Sequence, residues 1–156
     1  MASAAHATAC MTRRRAIAAQ LVLASAVLWP WIARAEVVLP APGSALRKQV
    51  LDALRPAVMH EIGGEIEFVV NELRVLAQWA YVNARPQRPG GQPIDWRATK
   101  YRRDWEQDMM SDLVLALLRR QGEGWQVIKC VIGPTDVVWE DWIRSYNLPR
   151  ALFTNQ

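Results

Sequence analysis

The chain has 156 residues and a formal charge of +4, but the excess charge sits at one end. Arg13, Arg14, Arg15 and Arg34 precede Glu36 with no acidic residue among them, so the remaining 15 basic side chains match the 15 acidic ones. A charge-balanced remainder offers no clustered cationic surface for nucleic acid, and the single cysteine left in it, Cys130, excludes an intramolecular disulfide.

The N-terminal 35 residues read as an export signal. Thr12-Arg13-Arg14-Arg15 is a basic cluster, Ala16 to Trp31 is an almost unbroken apolar run, and Ala33-Arg34-Ala35 is a small-x-small pattern ahead of Glu36. That sequence of features predicts cleavage between Ala35 and Glu36 by the export machinery and a periplasmic or secreted product. Met11 stands just before the basic cluster and offers an alternative start. Arg13-Arg14 suits twin-arginine export, but Ala16 sits where that pattern prefers a large apolar residue, so the general secretory route stays open as well. The competing reading is an uncleaved inner-membrane anchor, since about 20 apolar residues span a bilayer. Gln20, Pro30 and the small-x-small pattern weigh against it.

Residues 36–156 then read as one domain, large enough to bury a single core. Glu36 to Gly43 is a Pro-containing lead-in, expected to be extended and loosely held. Ser44 is a helix N-cap, and Leu46, Val50, Leu51, Leu54, Val58 and Ile62 recur at helical spacing on one face. Pro56 lacks an N–H and crowds the carbonyl of Asp52, which predicts a kinked helix or two short ones, ended by Gly63-Gly64. Ile66 to Leu76 is rich in β-branched residues and reads as a strand with a bulge near Asn71-Glu72. After a turn at Ala77-Gln78, a second strand puts Trp79, Tyr81 and Asn83 on one face and Ala80, Val82 and Ala84 on the other. Arg85 to Pro93 carries too much Pro and Gly for regular structure and reads as an exposed loop.

Ile94 to Asp112 mixes Trp96, Tyr101 and Trp105 with charged residues. It is either a lid over a pocket or a polar crossing with its aromatics tucked against the sheet. Two further strands surround Arg119 to Gly124, whose glycines suit a hairpin turn. On the last of them Val127 and Val131 share one face, and Ile128, Cys130 and Ile132 the other. Gly133-Pro134 stops that strand, Thr135 or Asp136 is placed to cap a short helix bearing Trp139 and Trp142, and Tyr146 to Pro149 ends it.

The summed order gives an α+β domain: an N-terminal kinked helix packed on a four-stranded antiparallel sheet, with a short C-terminal helix. By that order, and by the Gly124-x turn leading through Trp125 into a last strand, the chain resembles the cystatin-like/NTF2-like superfold, a roll. The phrases FVVNELRV, WAYV and IGPTDVVWEDW are similar to those of small exported bacterial proteins of unassigned function, a likeness that brings no active site with it.

Chemistry is sparse. His60 is the only histidine after the signal, so His60-Glu61 lacks the second histidine of a zinc helix, and neither a metal site nor an organic cofactor is expected. Cys130, inside an apolar strand, reads as a small buried hydrophobe. Asp136 near Trp79, Tyr81 and Trp139 would suit a general base if desolvated, but an N-cap is the plainer role. Arg74 and Arg144 could each grip a carboxylate, though in a neutral domain they read as surface residues.

The tryptophans after the signal would fill the core, line a pocket for a small apolar ligand, or anchor a protein interface. One helix covers one sheet face, so a second cover is implied, supplied by a homodimer or by the Trp96 to Trp105 loop. The leading expectation is an exported, non-catalytic binding or interaction domain, with an unidentified periplasmic protein or small ligand as partner. The alternatives are a small cavity enzyme, a hydrolase or isomerase, built on Asp136, and a cystatin-like peptidase inhibitor.

Overall fold

A computed structural model describes residues 36–154, all within one compact unit. The expected signal with its Ala35 junction, and the alternative start at Met11, lie outside the described residues. Helix α1, Ala45–Ile62, begins at Ser44, whose Oγ accepts the Arg47 N–H at 3.3 Å. It runs through Pro56 as one element, so of the two forms expected, a kinked helix or two short ones, the pair of short helices is excluded. Val50, Leu54, Val58 and Ile62, four residues apart, are all buried, and a continuous apolar seam holds the turn that lacks a hydrogen bond. After the helix, the Arg88 guanidinium donates to the carbonyls of Gly63 (2.6 Å) and Glu65 (3.0 Å) and fixes the exit.

Four strands follow as an antiparallel meander: β1 (Glu67–Leu76), β2 (Trp79–Gln87), β3 (Val114–Gln121) and β4 (Gly124–Ile132), side by side in that order. β1 carries its bulge at Asn71, as expected. The extra residue changes the phase of the strand. Phe68 and Val70 before it and Leu73 and Val75 after it thus all join the α1 core, while Arg74 and Leu76 turn to the opposite face. β2 divides as expected, with Ala80, Val82 and Ala84 under α1 and Trp79 and Tyr81 opposite. It also extends to Gln87, where a loop was expected. Pairing with β3 ends at Ala84, so Pro86 owes no N–H to a second neighbour.

The β3–β4 connection is a two-residue turn, Gly122-Glu123, with Gly122 at φ +60°. A second bulge, at Ile128, corrects the expected faces of β4. Trp125 and Val127 now share the α1 side with Cys130 and Ile132, Val131 turns to the opposite face, and Ile128 joins neither core. Both edge strands are thus bulged, which blunts edge-to-edge pairing. The lead-in is not loose, since Val38 exchanges both backbone hydrogen bonds with Val75 at 2.7 and 2.8 Å and covers part of the β1 edge.

The second face is covered by the chain's own C-terminal segment, not by the Trp96 to Trp105 loop. Gly133 redirects the backbone at φ +66°, and an added Cβ would lie 2.6 Å from Met110 Cε. The Ser111 hydroxyl donates to the Pro134 carbonyl at 2.7 Å and pins the connector. Helix α3, Trp139–Tyr146, starts at Val138 with no side-chain cap, so neither Thr135 nor Asp136 does the expected work. Asn147 closes it in the left-handed conformation, and a 3₁₀ turn at Arg150–Leu152 leads to Phe153. Trp142, Leu148, Leu152 and Phe153 are buried against Leu76, Tyr81, Leu115 and Leu117.

No described helix is long and apolar enough to cross a membrane.

Candidate functional site

Trp79, Tyr81 and Trp139, singled out in the sequence, join one apolar cluster with the C-terminal segment. Phe153 packs edge-on against Tyr81 (5.1 Å between ring centroids), stacks on Trp139 (5.7 Å) and touches Trp142 (6.3 Å), while Trp79 meets Tyr146 at 5.5 Å. Burial, followed by the Glu72 charge, pushes the Tyr81 phenol up to about 12. Arg74, expected at the surface, is only 4% exposed. Its guanidinium donates to Glu72 Oε1 at 2.6 Å and to the carbonyls of Ala151 and Thr154 at 3.2 and 3.3 Å, fastening the C-terminus to the sheet. Arg144, by contrast, is exposed beside Asp141. Asp136 is also exposed, its carbonyl accepting the Val138 N–H, so the desolvation that a general base would need is absent there.

A concavity lies at the other end of the sheet, where β2 runs on past Ala84. It has a volume of about 300 Å³. Arg85, Pro86 and Gln87 at the end of β2 form one wall; Gly91, Pro93 and Ile94 form the floor and turn; Trp96, Trp105 and Asp112 complete it. Trp96 starts a 3₁₀ turn over Trp96–Ala98, where Asp95 accepts the Arg97 N–H at 3.1 Å and Thr99 Oγ1 donates to the Trp96 carbonyl at 2.8 Å. These local bonds fix Trp96 in the core, 4% exposed, and the half-buried Trp105 from helix α2 (Arg102–Glu106) stacks on it at 5.8 Å. At the rim, Arg85 Nε lies 2.6 Å from Asp112 Oδ2.

One latch ties this loop to α1. Glu61 accepts the Tyr101 hydroxyl at 2.6 Å and the Lys100 ammonium at 2.6 Å. Hydrogen bonding from Lys100, then from Tyr101, draws the Glu61 carboxyl down to about 2. The Tyr101 phenol is pushed well above its ordinary range by burial and then by that hydrogen bond, and its ring meets Trp96 edge-on at 6.2 Å. Cys130 is half-buried and raised to about 11, chiefly by desolvation and then by the Glu61 charge. Such a thiol holds its proton at neutral pH. His60, with a side chain 86% exposed, reaches only the neighbouring Glu61.

Among the described residues no group of three His, Cys, Asp or Glu is placed to hold a metal ion. Trp96 and Trp105 stood in a segment expected to be either a lid or a crossing with its aromatics tucked against the sheet, and the buried Trp96 fits the second. Arg85, Gln87 and Asp112 were not legible, because no local pattern pairs an arginine with an aspartate across a whole loop. No protein-family model, curated protein or solved structure matches the chain.

Proposed function

We propose that this chain is a periplasmic binding module, exported through residues 1–35 and cleaved between Ala35 and Glu36. In this reading it binds a small ligand in the Trp96–Trp105 cleft without transforming it, on a scaffold of the cystatin-like/NTF2-like type. The observation that carries the reading is a formed concavity, about 300 Å³, walled by a stacked tryptophan pair and rimmed by a neutralised Arg85–Asp112 pair. Ligand sites combine apolar walls with a few fixed polar groups in this way. The Glu61 latch favours the same reading, since a wall held in place before binding reduces the ordering cost of association.

Native mass spectrometry of the protein recovered from the periplasm of its own host tests this proposal. A mass beginning at Glu36 with a retained small molecule, lost in Trp105→Ala, is the expected result. A mass that includes residues 1–35 removes the cleavage between Ala35 and Glu36 and favours the uncleaved anchor. An empty mass at twice the monomer, or one containing a second protein, moves the binding role from the cleft to a protein interface.

A further inference from the structure

Resting on the cleft as the binding site, we infer that its ligand is a neutral carbohydrate: one sugar ring seated against Trp105, with its hydroxyls on Arg85 and Asp112. Charge makes the first selection. The guanidinium and carboxylate at the rim already neutralise one another at 2.6 Å, so the rim offers an anion or a cation no uncompensated charge, and a neutral polar ligand needs none. The pair still presents hydrogen-bonding capacity, because an arginine has five N–H donors and a carboxylate has two acceptor oxygens.

Shape makes the second selection. A sugar ring has apolar C–H faces and an edge of hydroxyls that both donate and accept. The cleft offers the complement: a flat indole next to a planar donor and a planar acceptor. Trp105 is braced on the buried Trp96, so its plane is set before the ligand arrives. The volume lies at the lower end of the roughly 300–1,000 Å³ typical of ligand cavities, which suits one ring and not an extended peptide. A wholly apolar ligand would use the indole alone and leave the polar rim unused.

The test is a tryptophan-fluorescence and calorimetric titration of the full-length chain. The panel is glucose, galactose, N-acetylglucosamine, chitobiose and maltotriose, against acetate, arginine and indole. The expected result is binding of at least one saccharide with Kd in roughly the millimolar range or tighter. Trp105→Ala should weaken it about tenfold or more, with Trp105→Phe retaining part of the affinity and near-UV circular dichroism reporting an intact fold. Asp112→Asn should weaken the saccharide and create acetate binding, because Arg85 is then unpaired.

Binding of only acetate, arginine or indole, lost in Trp105→Ala, overturns the carbohydrate inference and leaves the cleft as a site. Saccharide binding unaffected by Trp105→Ala in a folded variant overturns both. No response to the panel and no retained native ligand likewise overturn both.

Discussion

On one face of the sheet an 18-residue helix lays Val50, Leu54, Val58 and Ile62 across the strands. On the other, an eight-residue helix and a 3₁₀ turn gather around Phe153 and are fastened by Arg74. The first cover is made of a repeat, so each buried residue specifies the next. The second is made of unlike parts that meet only after the chain has folded, with Arg74 reaching a carbonyl 77 residues further on. The two covers therefore fail differently when broken.

The largest expected difference comes from cutting each core at its centre. Leu54→Ala and Phe153→Ala should each cost about 3–4 kcal/mol. Leu54→Ala should lower protection from amide exchange throughout the sheet, whereas Phe153→Ala should first release residues 139–154 while β2 and β3 stay protected. Equal loss of protection in both variants would mean that the faces form one cooperative unit.

Arg74→Met is expected to cost about 2 kcal/mol, since it strands a partly buried Glu72 and frees two C-terminal carbonyls. Its signature is faster exchange confined to the Arg150–Phe153 region. A loss under about 0.5 kcal/mol would show that aromatic packing alone holds the segment.

On the α1 side the latch gives a smaller effect with a pH signature. Tyr101→Phe should cost about 1 kcal/mol. The Glu61 carboxyl is lowered from its ordinary 4.5 to about 2, so its contribution is full above about 4.5 and is lost as pH falls toward 2. Tryptophan fluorescence should show a step in that window as the Trp96–Trp105 loop loosens, and Glu61→Gln should remove the step. A step that persists in Glu61→Gln would assign it to another carboxylate.

The smallest effect is expected where the sequence seemed to place a cap. Asp136→Asn should change stability by less than about 0.5 kcal/mol, because the residue is exposed and caps nothing. A cost of about 1 kcal/mol in thermal unfolding would restore the cap.

The sequence by itself determined the elements whose signals are local. Ser44 and the four-residue apolar repeat wrote α1, alternation wrote β2 and both its faces, and two glycines around Glu123 wrote the last hairpin. The bulge at Asn71 was legible for the same reason, since a polar pair interrupts an apolar strand. Of the candidate site, Trp96 and Trp105 could be named, and nothing more.

Tertiary structure alone decided the rest. The bulge at Ile128 reset the faces of β4 with no polar pair to announce it, only the single Lys129 beside it. Arg74 went inside because the C-terminal carbonyls came to it, and Pro86 stayed in a strand because β3 had already ended. Arg85 met Asp112 only because β2 outruns its neighbour and the loop returns beside it. Each of these outcomes depends on which distant backbone is adjacent, a quantity that spacing along the chain does not contain.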